Sequence, residues 1–170
     1  MDDTISDLAV GRYDWIQDAG LHLFALGMAA VGAALLRRDL DGWAWRIGCL
    51  LLVAVAACIA ALALRREYGN EGTGGFVVHD ELVYAIGLFF AAVALLTANG
   101  FRRFGGGWFR FNVVVAVLWI VLAPLFIVVP AAWDGLYERL IGCLMVGWLA
   151  ATSVLLIRRA GLRPDGRAGS

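Results

Sequence analysis

Leu82–Ala98, LVYAIGLFFAAVALLTA, is an uninterrupted run free of charge, and with the residues that lead into it the stretch is long enough to enter a bilayer. Its mouth carries three consecutive ionisable side chains, His79-Asp80-Glu81, delivered by the glycine-rich loop GNEGTGG at 69–75. Ionisable groups at the edge of hydrocarbon are costly unless water or a partner meets them. Other polar residues at the same depth are therefore their candidate partners.

Similar apolar blocks of about 20 residues recur along the chain, longer than a soluble core helix needs. The 170 residues are 62% hydrophobic with a mean hydropathy of +0.80. This implies an all-α, polytopic transmembrane helix bundle, multi-pass in the cell membrane, with the lipid bilayer as its surroundings. A formal net charge of zero supplies no basic face for nucleic acid. Repeats and low-complexity segments are missing, and lysine is absent, so every fixed positive charge is arginine. Cys49, Cys58 and Cys143 fall inside apolar runs, where a thiol behaves as a small hydrophobe rather than as a disulfide partner.

The opening MDDTISDLAVGRYDW is acidic and lacks the basic region of a signal peptide, so it is expected to stay in the mature chain. Five spans are expected within one domain, 1–160: about 16–36, 43–64, 77–98, 111–129 and 136–157. Arg37-Arg38 close the first and Arg65-Arg66-Glu67 the second. Pro124 should kink the fourth, with a neighbouring helix satisfying the freed carbonyl, and Pro130 should end it. Residues 161–170 read as a disordered polar tail.

Orientation follows from the arginines. With the N-terminus outside, Arg37, Arg38, Arg46, Arg102, Arg103, Arg110, Arg158, Arg159, Arg163 and Arg167 lie inside, and only Arg12, Arg65, Arg66 and Arg139 lie outside. Ten against four over short loops predicts N-out, C-in. Eleven acids then fall outside, and Asp39, Asp41 and Asp165 inside. Trp15, Trp43, Trp45, Trp108 and Trp133 sit at span ends, where interfacial aromatics belong.

This topology gathers Asp7, Asp14, Asp18, His22, His79, Asp80, Glu81, Asp134, Glu138 and Arg139 at the outer heads of the first, third and fifth helices. Asp18 and His22 are four apart and share a face that Ala25, Ala29 and Gly32 continue inward, a small-residue stripe suited to close helix packing. His22 should point into the bundle and bond Asp18. Asp80, Tyr84, Gly87, Ala91 and Ala98 form a comparable stripe on the third helix, and Arg139, Cys143, Val146 and Ala150 on the fifth. Each polar member also has a plain explanation. Asp14, Asp18, Asp80 and Glu81 suit helix N-termini as dipole partners, and adjacent Glu138 and Arg139 suit an interfacial pair. The glycine loop lacks the lysine and the preceding strand of a phosphate-binding P-loop.

Ser6-Asp7 within ISDLAVG at residues 5–11, then Tyr13-Asp14-Trp15-Ile16-Gln17 and a span bearing Gly27, resemble the opening of the prokaryotic membrane family catalogued as domain of unknown function 998. Gly72-Thr73-Gly74 leading to His79, and Gly135-Leu136-Tyr137-Glu138-Arg139-Leu140 followed by Trp148, extend the likeness over nearly the whole chain. The resemblance implies a helical membrane protein, usually of six spans, without an established biochemical role. Two departures stand out. The family's first helix, ahead of the serine-aspartate motif, has no counterpart here, and Leu64-Arg65-Arg66-Glu67-Tyr68 replaces a Phe-Pro-rich exit before the glycine loop. Family positions matching Ser6, Asp7, His79, Glu138 and Arg139 all fall on the outer side by the arginine count.

Three kinds of function fit. A structural or accessory membrane protein needs only that Ser6, Asp7, Asp18, His22, His79, Asp80, Glu138 and Arg139 fasten the helix heads, with a second copy or another membrane protein as its partner. An outer-leaflet enzyme would use His79 or His22 as metal ligands and a carboxylate as base, although no HExxH-like spacing is present. A small-ligand transporter or receptor would use histidine and aspartate as a proton-responsive pair. Against transport, the inner half offers only Thr97, Asn99, Asn112, Thr152 and Ser153 as polar groups. Haem held by His22 and His79 would supply one ligand pair, where transmembrane electron transfer needs two.

Overall fold

A computed structural model describes residues 14–38, 40, 42–67, 75–126, 129–130 and 133–160, with the backbone alone at 14, 65–67, 75–80 and 134. Five helices, each long and apolar enough to cross a membrane, make up the fold: α1 (Asp14–Leu36), α2 (Gly42–Glu67), α3 (Gly75–Phe101), α4 (Gly106–Leu125) and α5 (Asp134–Ala160). No strand occurs among the described residues. Helices are the form this sequence must take in lipid, because they satisfy backbone N–H and C=O groups without water.

Short links make successive helices antiparallel neighbours. α2 packs on α1 and on α3, α4 packs on α3, and α5 reaches α1 and α4. Between α3 and α4 the chain turns through a single 3₁₀ turn, Arg102–Phe104, and then Gly105, whose φ of 129° excludes most side chains. The Gly105 N–H closes this turn on Arg102 O at 3.0 Å. The ends of α1, α3 and α5 and the starts of α2 and α4 therefore lie together at one end of the bundle, called here the arginine end.

Close packing and bulk alternate across the interfaces. Between α2 and α3, Gly48 lies so near Thr97 that an added Cβ would stand 2.7 Å from its Cγ2, and a Cβ on Gly100 would run into the Trp45 ring. Large rings fill the space around α3 and α5. Phe90 meets Trp119 and Trp148 edge to face at 4.6 and 5.6 Å, and Phe101 meets Trp45 at 5.6 Å and Trp148 at 6.4 Å. All five rings are buried.

Several details differ from the sequence expectations. α4 starts and stops earlier than expected: it begins at Gly106 and ends at Leu125, one residue past Pro124. With no N–H at Pro124 the final turn tightens, and the Phe126 N–H falls back on Ala123 O. Trp45, expected at the interface, is fully buried and donates to Leu35 O at 3.1 Å. Trp15, Trp43 and Trp133 are exposed, as interfacial rings should be. The stripe on α1 faces inward, with Ala25 and Gly32 buried and Ala29 half-buried. That on α3 is mixed, since Ala98 is buried but Tyr84 is exposed. On α5 the expected face is turned outward: Cys143, Val146 and Ala150 are exposed, and Met145, Trp148, Thr152, Leu155 and Leu156 are buried instead. The Trp148 indole N–H has no acceptor in lipid but finds one in Asn112 Oδ1, and its ring packs on Phe90 and Phe101, so the ring sets the rotation of α5.

Candidate functional site

At the end opposite the arginines, the head of α1 presents Gln17, Asp18 and His22. All three are half-buried. The His22 imidazole lies back on its own helix, with Nδ1 2.7 Å from the backbone carbonyl of Asp18. A carbonyl can only accept, so Nδ1 carries a proton. His22 therefore does meet Asp18, through the backbone carbonyl. Asp18 Oδ1 and both amide atoms of Gln17 are enclosed by protein and have no hydrogen-bond partner. Buried amide and carboxylate atoms of this kind are costly, which makes the head of α1 a place where something polar is wanted.

The head of α5 is differently built. Arg139 Nη1 donates to Gly135 O at 3.0 Å, one turn back on its own helix, and Glu138 beside it is half-buried. Tyr137 crosses to α4, where its hydroxyl donates to Leu122 O at 2.7 Å, just before the proline-tightened turn. Leu122 O is the carbonyl left over when the Phe126 N–H turns back to Ala123 O, whereas the carbonyl that Pro124 itself frees is that of Ile120, one turn before the proline.

The other sequence-nominated residues divide by where they fall. His79 and Asp80 belong to the first turns of α3 by backbone, while their side chains lie outside the described residues, as Ser6 and Asp7 do entirely. Among the described residues no three of His, Cys, Asp and Glu come together in a group able to hold a metal ion. Of the two histidines nominated as metal ligands, only His22 has a described side chain.

The polar bonds that join helices come from residues the sequence reading did not single out together. Trp148 Nε1 of α5 donates to Asn112 Oδ1 of α4 at 2.9 Å, and Asn112 Nδ2 turns back to Trp108 O at 2.9 Å. Trp119 Nε1 of α4 donates to Gly87 O of α3 at 2.8 Å, and Trp45 Nε1 of α2 to Leu35 O of α1. The available signal was position: Trp119 and Trp148 stand well inside apolar spans, where an indole N–H must find an acceptor.

Neither the search of curated proteins nor that of solved structures gives a match. A family model described as a protein of unknown function (DUF998) matches residues 1–155, a stretch that takes in α1 to α4 and most of α5. With its five membrane-capable helices and that near-complete match, the chain belongs to the DUF998 family of membrane proteins.

Proposed function

We propose that the protein is a structural or accessory component of its membrane, a rigid bundle that acts through its surfaces and its partners rather than by turning over a substrate. The observation that supports this is the use made of the buried indoles. Trp45, Trp119 and Trp148 each spend their N–H on a neighbouring helix, tying α2 to α1, α4 to α3 and α5 to α4. Interhelical hydrogen bonds in lipid hold a bundle in one arrangement, and these are backed by interlocked rings. In this reading the outer polar residues, with Ser6, Asp7, His79 and Asp80 among them, fasten the helix heads. Elemental and absorbance analysis of the detergent-purified protein tests it. The expected result is neither a stoichiometric metal nor a chromophore, together with a melting temperature that falls when the indole bonds are cut. A stoichiometric metal that disappears in His22→Ala or His79→Ala would replace the accessory reading with the metal-enzyme one.

One observation favours a second reading, a receptor for a small polar ligand at the head of α1. Gln17 and Asp18 hold buried polar atoms without partners, and His22, one turn on, uses Nδ1 on Asp18 O and keeps Nε2 as a second polar atom. Isothermal calorimetry with small amides and ammonium compounds checks it; binding that survives Gln17→Leu and Asp18→Asn would exclude this location.

A further inference from the structure

The arginine end carries a charged surface that the accessory reading leaves unused. Arg37, Arg46, Arg102, Arg103, Arg110, Arg158 and Arg159 are exposed there and Arg38 is half-buried. Counting the whole sequence on that side, ten arginines meet three aspartates. Two of these guanidinium groups are already held in place at the corner where the α3–α4 turn meets the end of α5. Arg102 Cζ stands over the Phe109 ring, 4.2 Å from its centre, and Arg159 Cζ stands over Phe104 at 5.9 Å while the side chain donates to Phe104 O at 3.3 Å. A ring against one face of a guanidinium leaves its in-plane N–H fork open, and that fork matches the oxygens of a phosphate. Among the described residues the guanidinium groups of Arg102, Arg103 and Arg158 take part in no hydrogen bond or ion pair. The exposed ring of Trp43 and the half-buried ring of Trp108, at the starts of α2 and α4, put this corner at headgroup depth.

We infer that the corner formed by Arg102, Arg103, Arg158 and Arg159 is a binding site for the phosphate of an anionic phospholipid. Depth selects the lipid over a soluble anion, because the ring-backed guanidiniums stand where phosphodiesters of a bilayer lie. Charge density selects an anionic headgroup over a zwitterionic one, whose choline or ethanolamine would bring a cation into the same arginines.

The test uses the full chain in nanodiscs. Thermal unfolding is followed in phosphatidylcholine alone, in phosphatidylcholine with phosphatidylglycerol, and in phosphatidylcholine with inorganic phosphate in the buffer, and native mass spectrometry counts retained lipid. Phosphatidylglycerol should raise the melting temperature and stay bound, with the effect fading at high salt. Each basic residue at an anionic surface is worth about fivefold in binding, so Arg102→Gln with Arg159→Gln should weaken retention of phosphatidylglycerol about 25-fold. Equal behaviour of the wild-type protein in the first two lipid mixtures would overturn the inference without needing any variant. Stabilisation by inorganic phosphate equal to that by phosphatidylglycerol would mean a free-anion site instead. A double variant that folds as the wild type does in phosphatidylcholine and still retains phosphatidylglycerol would remove the site from this corner.

Discussion

Trp148 and Asn112 form a closed polar pair inside the bundle: the indole of α5 donates to the amide oxygen of α4 at 2.9 Å, and both side chains are almost wholly buried. Cutting the bond from either side leaves a different orphan. Trp148→Phe frees an amide oxygen, and Asn112→Leu frees an indole N–H. Each single change should lower the melting temperature in detergent, and the double change should be milder than their sum, with a coupling of about 0.6 to 1.7 kcal/mol. Additive losses in reversible unfolding would show that the bond contributes nothing.

Gly100→Ala should destabilise the protein by about 1 to 3 kcal/mol, although alanine is the better helix former. The added methyl group would meet the Trp45 ring, which cannot swing aside without giving up its bond to Leu35 O and its edge contact with Phe101. Gly147→Ala is the control. An added Cβ at Gly147 on α5 has nothing within 4 Å, so stability there should hold or rise slightly. Equal effects in thermal unfolding would contradict the α2–α3 packing.

Thr152 is fully buried on α5, and its hydroxyl has no partner. Thr97 on α3, equally buried, donates to Val93 O at 2.7 Å. Thr152→Val should therefore stabilise the bundle by about 1 kcal/mol, since a desolvated, unused hydroxyl is replaced by a methyl group of similar size. The same change at Thr97 should gain less. A loss at Thr152 would mean that its hydroxyl is used, by a bound water or by a partner.

At the head of α1, Gln17→Leu removes two buried polar atoms that lack partners. The apolar side chain should raise stability by about 1 to 3 kcal/mol if the site is empty in the cell. A fall in the stability of freshly purified protein, restored by nothing but membrane extract, would instead point to a bound polar molecule.

Orientation is checked by labelling. With Cys49, Cys58 and Cys143 replaced, a cysteine introduced at Thr73 should react with an impermeant thiol reagent on intact cells, and one at Gly106 should not. Reaction at Gly106 alone would invert the N-out, C-in arrangement.

The span count was legible because hydrophobic length alone carries it, whatever the helices do to one another. Rotation was harder to read. On α1 the small-residue rule and the burial of Ala25 and Gly32 agree, since α2 approaches closely there: an added Cβ on Gly32 would stand 3.0 Å from Val53 Cγ2. On α5 the same rule gave the wrong face, because Trp148 holds its neighbours at ring distance and small residues gain nothing by facing them. Trp45 stands at a span end as expected, but its indole finds an acceptor in the last turn of α1, and the ring is turned into the bundle. The meeting of His22 with Asp18 was legible from their spacing of four, while the choice of backbone carbonyl over carboxylate depends on a side-chain torsion that no spacing encodes.

The pairing of Asn112 with Trp148 also sets a timetable. The two residues are 36 positions apart, so at about 5 to 20 residues per second Asn112 leaves the ribosome roughly 2 to 7 s before its donor on α5 does. During that interval α1 to α4 can already lie against one another in order of birth, with the amide oxygen of Asn112 facing hydrocarbon and the edges of Phe90 and Phe101 uncovered. Arrival of one indole ends that exposure.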